Sequence, residues 1–291
     1  NYMPELPEVE VVKRSLENVI NNLPIKNVEI NEANLRYKVI KREISQIIGL
    51  KICSIKRRSK YLLFFFNKKV VMLVHLGMTG KFFIIDKNKE KKKTSFYYSL
   101  NNTKKSKHDH IVFIFKDKTK LIYNDVRKFG FIKIYSYNKF KDNPHLKLLG
   151  PEPLESTFNL NYFKNYLVGK KRNIKDILMD QKFIAGLGNI YVNEILYYSK
   201  VKPTRKADKL SSYEIQKILI GTKKILKKAI NFGGSSIKDF SSSSGKSGLF
   251  QQHFNVYGKK GKNCSNPDCK NKIEKIVISN RATFFCSYCQ K

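Results

Sequence analysis

The chain lacks tryptophan, is poor in acidic residues and holds no long apolar run. Nowhere does it approach the about 20 consecutive apolar residues that a membrane-spanning helix needs. The first residues, with Pro4, Glu5, Pro7, Glu8 and Glu10, occupy the place where a secretion signal would put basic and then apolar residues. A soluble, cytoplasmic protein is therefore expected, with no membrane partner. The shortage of acids is pronounced: 23 Asp and Glu stand against 58 Lys and Arg, a formal charge of +35. Such an excess repels itself in a compact fold unless an anionic partner or dissolved counterions offset it, and nucleic acid is the first candidate. A strongly AT-biased genome, which fills surfaces with Lys, Asn and Ile and also fits the missing Trp, explains the same excess, so charge alone leaves both readings open.

Cysteine is scarce too, five in 291 residues, which argues against a disulfide scaffold. Cys53 stands alone in an alternating apolar run. The others form two close pairs: four residues separate Cys264 from Cys269, two separate Cys286 from Cys289, and sixteen lie between the pairs. Two short-spaced thiolate pairs can close a tetrahedron around one structural Zn2+, which would also supply folding energy that a module of about 35 residues cannot draw from its own core. With all four positions filled by protein, a catalytic zinc is not expected.

What is abundant is pattern. Val9, Val12, Leu16 and Ile20 recur at helical spacing, and Pro4 and Pro7 suit a chain entering a helix over Glu8 to Ile20. From Ile25 to Tyr137, β-branched and aromatic runs of strand length follow one another: 51–55, 61–66, 70–76, 81–85, 111–115, 121–123 and 129–135. They predict a β-sandwich or barrel. The basic stretch 86–107 reads as a long loop. After Gly150, Pro151 and Pro153 the period changes, and 160–167, 174–179, 189–198 and 213–230 read as helices. The Gly- and Ser-rich stretch 232–248 reads as another loop. The expected organisation is an α+β multidomain protein: an N-terminal β-sandwich with flanking helices over 1–137, a linker over 138–153, a helical domain over 154–256 and a Cys-bearing β-hairpin module over 257–291.

Pro4 and Glu5 suggest chemistry once processing is considered. Removal of Met3 would give Pro4 a free secondary amine, a nucleophile able to attack a sugar C1′ and form an iminium, with Glu5 as a proton donor to the ring oxygen. On spacing alone, a Pro-initiated helix with acids in its first turn explains the same residues.

Several blocks narrow these alternatives. Met3-Pro4-Glu5-Leu6-Pro7-Glu8-Val9-Glu10, Arg57-Arg58-Ser59-Lys60-Tyr61-Leu62-Leu63, His75-Leu76-Gly77-Met78-Thr79-Gly80, Lys107-His108-Asp109-His110, Gly186-Leu187-Gly188-Asn189-Ile190-Tyr191 and Asn280-Arg281-Ala282-Thr283-Phe284-Phe285-Cys286 occur in that order. Together they resemble the formamidopyrimidine-DNA glycosylase family over nearly the whole chain. Leu6 fits this branch better than the endonuclease VIII branch, where Gly is usual.

The resemblance implies a monomeric enzyme of base excision repair acting on damaged double-stranded DNA. It would have a sandwich, a helix-two-turn-helix domain and a zinc finger, and would excise oxidised purines with lyase activity. Pro4 would be the nucleophile, Glu5 the acid and Lys60 a proton donor and phosphate contact. Arg281 would grip the lesion's phosphate from the zinc-finger hairpin. Met78, Arg127 and Phe129 would fill the gap left by the extruded base, offsetting a few kcal/mol of lost stacking. His108, Lys171, Asn189 and Tyr257 would contact DNA, and 233–249 would be the lesion-recognition loop. Two departures stand out. Asn1 and Tyr2 precede Met3, and while they remain Pro4 has no free amine; the 86–107 loop is long for the family. An endonuclease VIII-like enzyme for oxidised pyrimidines, a catalytically inactive damage-binding protein and an RNA-binding zinc-ribbon protein are the competing readings.

Overall fold

A computed structural model describes residues 3–85, 107–235 and 250–291 in full and 91–93 as backbone. The chain divides into two compact units, Asn1–Lys147 with Phe232–Gln251, and Leu148–Asn231 with Gln252–Lys291. Among the described residues no helix is long and apolar enough to cross a membrane.

The first unit opens with α1 (Leu6–Ile20), whose Val9, Val12, Leu16 and Ile20 are buried on one face. Pro7 sits in its first turn, where a missing N–H costs no hydrogen bond. There follow β1 (Ile25–Ile30), α2 (Lys41–Ile44), β2 (Ile52–Arg58), β3 (Tyr61–Phe66), β4 (Val70–His75), β5 (Gly80–Ile85), β6 (Lys91–Lys93), β7 (Asp109–Phe115), β8 (Lys120–Asp125) and β9 (Phe131–Ser136). They form two antiparallel sheets, β1-β7-β8-β5-β6 and β2-β3-β4-β9. The choice between sandwich and barrel is thereby settled as two sheets. Alternate residues of both enter one core: Leu62, Phe64 and Phe66 of β3 and Met72 and Val74 of β4 join Phe82 and Ile84 of β5 and Ile111, Phe113 and Phe115 of β7. The Phe64 and Phe82 rings meet edge to face across the sheets, 6.0 Å between centroids. The apolar stripe of α1 joins the same core and packs beside β2.

Two strands escaped the pattern. β1 alternates only weakly and is an edge strand with a bulge between Ile25 and Asn27. β6 corrects the expectation of an uninterrupted loop over 86–107: Lys91–Lys93 pairs with Phe83–Ile85. Three lysines carry no apolar alternation, and their pairing rests on backbone hydrogen bonds, in keeping with charged residues on sheet edges. Otherwise that stretch falls outside the described residues up to Ser106, as do residues 236–249 of the Gly- and Ser-rich stretch.

The second unit contains α3 (Leu160–Leu167), α4 (Ile174–Met179), α5 (Asn189–Tyr198), α6 (Ser212–Asn231) and the hairpin β10 (Glu274–Ile278) and β11 (Arg281–Phe285). Side-chain oxygens of Asn159 and Asn173 cap α3 and α4 by accepting from the amides of Tyr162 and Asp176. In α5, Ile190, Tyr191, Val192, Ile195 and Leu196 are all buried, as are Asn193 and Glu194, so this helix is enclosed all round and forms the centre of the unit, packed between α4, α6 and β11.

Candidate active site and nucleic-acid interface

Pro4 and Glu5 are both buried immediately ahead of α1, Glu5 being 4% exposed. They are held by a third residue that the sequence reading passed over. The buried Glu8 carboxylate accepts from the Glu5 amide (2.9 Å) with one oxygen and from the Ser235 amide (3.0 Å) and hydroxyl (3.2 Å) with the other. One acid thus fixes both the Pro4-Glu5 backbone and the start of the segment expected to form the lesion loop. In the sequence Glu8 reads as an ordinary first-turn acid of α1, and only the Ser235 contact marks it out.

Lys60 lies in the two-residue turn between β2 and β3, preceded by Ser59 at φ 55. Arg57 holds this turn: its Nη1 donates to the Ser59 carbonyl (2.9 Å), and its Nε donates to the Glu10 carboxylate of α1 (3.0 Å). Helix and turn are therefore tied by a nearly buried charge-assisted bond, the kind that survives screening. Lys60 is half-buried, unlike the exposed lysine of an ordinary strand end. His75, at the end of β4, is buried, and burial together with the charges of Lys60, Arg36 and His145 pushes its pKa down to about 3. Its neutral ring accepts at Nδ1 from the Gly77 amide (3.0 Å), setting the direction of the following turn.

That turn carries Met78. It lies against the turn bearing Arg127 and Phe129, and the approach is backbone on backbone. Gly77 has φ +61, and a Cβ there would stand 2.4 Å from both the Gly130 nitrogen and the Phe129 carbonyl carbon. Only glycine fits. Phe129 is 44% exposed, with the Arg127 guanidinium 4.7 Å over its ring, and Met78 is half-buried. A core role, the ordinary explanation for such residues, is excluded for Phe129 by its exposure. His108, half-buried just ahead of β7, has its pKa lowered by burial and by Lys107.

In the second unit Asn189 opens α5 after a turn in which Gly186 has φ 90. Gln181 shapes that turn, accepting from the Gly186 amide (2.7 Å) and donating to the Leu187 carbonyl (2.8 Å). Asn189 also donates to the Ala282 carbonyl (2.9 Å), while Asn193, one turn on, accepts from the Phe284 amide (2.6 Å). Both thereby dock the β10–β11 hairpin on α5. The hairpin reverses through Ser279 and Asn280, both at positive φ, and presents Arg281 exposed beside the turn. Behind Arg281 lies Lys175, also missed from sequence: it is 1% exposed, and its ammonium donates to Thr283 Oγ1 (2.6 Å) and the Ala282 carbonyl (3.2 Å). Burial, reinforced by Arg281 and opposed by Asp176, lowers its pKa to about 8. Arg281, Lys175, Arg172, Asp176 and Met179 line one open depression. Lys171 is exposed on the same unit. Tyr257 is positioned by the buried Glu194, which accepts from the amides of Asn255 (2.8 Å), Val256 (3.0 Å) and Tyr257 (2.8 Å), and its ring meets Phe284 edge to face at 5.3 Å.

The four cysteines expected to bind metal converge, their sulfurs all within 4.8 Å of one another. Cys264 and Cys289 stand at 3.8 Å and Cys269 and Cys286 at 3.6 Å. A tetrahedral site with bonds of about 2.3 Å has edges of about 3.8 Å. The donor set fits one metal ion. The surroundings also fit: the Asn271 amide and the Asn266 side chain donate to Cys269 and Cys289 sulfurs at 3.4 Å, and the Tyr197 hydroxyl lies 3.1 Å from Cys264. Gln290 fastens the module to the helical part, accepting from the Cys286 amide and donating to the Val201 carbonyl, both at 2.9 Å.

A buried proline-acid start and an exposed arginine-aromatic turn on a two-sheet unit, and a cysteine hairpin docked on a helical one, are the features to compare with known proteins. Comparisons agree over the full length. The formamidopyrimidine-DNA glycosylase N-terminal domain matches residues 3–132 and the H2TH domain of the same enzymes matches residues 149–241. The chain is 40% identical over 290 residues to the formamidopyrimidine-DNA glycosylase of Rickettsia bellii, covering 99% of this chain and 100% of that one. It is 40% identical over 288 residues to that of Wolbachia pipientis wMel, with 99% and 100% covered. Among solved structures it resembles a Lactococcus lactis FPG mutant in complex with Fapy-dG-containing DNA (TM-score 0.85, 35% identity, 99% and 100% covered). It also resembles the Lactococcus lactis Fpg bound to DNA containing an abasic site (TM-score 0.84, 34% identity, 99% of each chain covered). The chain belongs to the formamidopyrimidine-DNA glycosylase family, enzymes that repair damaged DNA.

Proposed function

We propose that the chain is a bifunctional glycosylase and abasic-site lyase that excises 8-oxoguanine and formamidopyrimidines from duplex DNA as a cytoplasmic, nucleoid-associated monomer. The observation that carries this reading is the buried Pro4-Glu5 pair fixed by Glu8 ahead of α1, with the Lys60 turn tied to the same helix. The Fapy-dG and abasic-site DNA of the Lactococcus lactis complexes supports the substrate class.

The chemistry requires Pro4 to be the first residue. Its ring nitrogen then bonds to C1′ of the flipped nucleotide as the glycosidic bond breaks, the electron pair leaving with the protonated base. Glu5 donates a proton to the ring oxygen as the sugar opens to an iminium. Loss of a C2′ proton expels the 3′ phosphate and a second elimination expels the 5′ phosphate, leaving a one-nucleotide gap. Lys60 serves as a proton donor and phosphate contact. Met78, Arg127 and Phe129 fill the space of the extruded base, offsetting part of the unstacking cost of a few kcal/mol. His108, Lys171, Asn189, Tyr257 and Arg281 take phosphates. One Zn2+ held by Cys264, Cys269, Cys286 and Cys289 supplies folding energy to the hairpin that carries Arg281.

Borohydride trapping on a duplex with 8-oxoguanine opposite cytosine tests the reading. A cross-link mapped to Pro4 of a chain that begins there is the expected result. A cross-link on a lysine, or none, rejects it.

A further inference from the structure

Asp125, at the end of β8, is fully buried in a chain whose acids are few. One carboxylate oxygen accepts from the Thr79 hydroxyl (2.5 Å), and the other accepts from the Gly130 amide (2.8 Å) and the Tyr123 hydroxyl (3.3 Å). Thr79 follows Met78, and its hydroxyl oxygen in turn accepts from the Arg127 amide (2.9 Å). Gly130 follows Phe129. The backbone of Asp125 is equally engaged, its amide donating to the His108 carbonyl (3.2 Å) and its carbonyl accepting from His110 Nε2 (2.7 Å). One residue therefore meets the segments that bear Met78, His108, Arg127 and Phe129, yet is itself shielded from solvent.

We propose that Asp125 is the positioning residue that locks Met78, Arg127 and Phe129 into a single wedge, so that opening of the duplex depends on a carboxylate that makes no contact with DNA. This rests on the wedge role given to those three residues above. Among the described residues the carboxylate's partners are two hydroxyls and an amide, so its charge is held by oriented neutral donors. Such bonds are the stronger, charge-assisted kind. Thr79 links the two turns at Arg127 directly, and Thr79–Asp125–Gly130 carries the link on to the Phe129 end. Without it the turns retain their backbone contact but lose the common anchor that keeps the insertion geometry, and preorganisation at this level is what a wedge contributes.

The test uses the protein beginning at Pro4 with Asp125→Asn and Thr79→Val, the second of which removes the hydroxyl shared by Asp125 and the Arg127 amide and leaves the Gly130 and Tyr123 bonds to Asp125 in place. A duplex carrying 2-aminopurine beside a non-cleavable abasic-site analogue reports unstacking by fluorescence without any chemistry. Asp125→Asn is expected to slow the unstacking phase about tenfold, the size of one lost charge-assisted bond, and Thr79→Val, which also loses the acceptor of the Arg127 amide, by at least as much, with the double variant falling short of the product of the two. The ratio of borohydride trapping on duplex to that on single-stranded abasic DNA, which has no stack to open, should fall by a similar factor. Unaltered unstacking, a fully multiplicative double variant, or trapping that falls equally on both DNAs would overturn the proposal. Absence of trapping by the unsubstituted chain would count against the Pro4 chemistry alone, since the fluorescence experiment needs none.

Discussion

The turns bearing Met78, Arg127 and Phe129 in the N-terminal unit and the Arg281 hairpin of the C-terminal unit, both proposed above to meet DNA, are fixed by opposite means. The wedge turns are gripped by backbone close approach at Gly77 and Gly130 and by a buried anion collecting neutral donors. The hairpin has a buried cation, Lys175, donating to a carbonyl and a hydroxyl, two asparagines on α5, and the cysteine cluster at its end. The first arrangement needs nothing beyond the chain. The second is built on a module of short strands whose apolar core is a handful of residues around Val256, Ile273 and Phe284, too small to stand without its four thiols.

That difference is broken most severely at the cysteines. Cys286→Ser removes one of four donors at a position fully buried beside Phe285, in a site where metal binding is worth about 10 kcal/mol in comparable small modules. Hydrogen exchange on the full chain should show protection lost over residues 257–291 and retained in both sheets of the sandwich. Equal loss in both units would mean that the hairpin is not the metal-dependent part.

The wedge side should break through its backbone instead. Gly77→Ala combines a left-handed φ with a Cβ only 2.4 Å from the Gly130 nitrogen, and neither atom belongs to a flexible side chain. Strain and forced separation each cost about 1 to 3 kcal/mol, so a thermal midpoint lowered by several degrees and a loss of base excision are expected, with the cysteine module unaffected. A variant with unchanged excision would show that the two turns need not touch.

Much of this was legible in the sequence because the relevant signals are local. The alternation of Tyr61 to Phe66 and the helical spacing of Val9 to Ile20 gave β3 and α1, and Cys-pair spacing gave the sulfur cluster. What escaped is long-range or carried by backbone. β6 pairs through three lysines, β1 is an irregular edge, and nothing near Lys175 announces that it will be buried under a hairpin more than a hundred residues away. The supporting acids Glu8, Asp125 and Glu194 share this character: each is recognisable only once its amide and hydroxyl donors have been brought to it from distant segments or adjoining turns. The motif residues proposed to meet DNA are written in the sequence as blocks, whereas the residues that hold them are written as isolated polar positions in apolar surroundings.

His75 offers the finest probe of the contrast, because it aims the Gly77 turn through a neutral ring. Folded, it stays unprotonated down to about pH 3, while an unfolded chain protonates it near its ordinary 6.5. Between those values the unfolded state therefore binds the extra proton, and stability must fall as the pH is lowered, by up to about 1.4 kcal/mol per pH unit for this one group. His75→Asn retains an acceptor for the Gly77 amide but does not titrate. Urea unfolding of the sandwich between pH 6.5 and 5, above the range in which ordinary carboxylates take up protons, should show the unsubstituted chain losing stability relative to the variant. Parallel curves would mean that the ring is protonated in the fold, and a protonated Nδ1 cannot accept from Gly77.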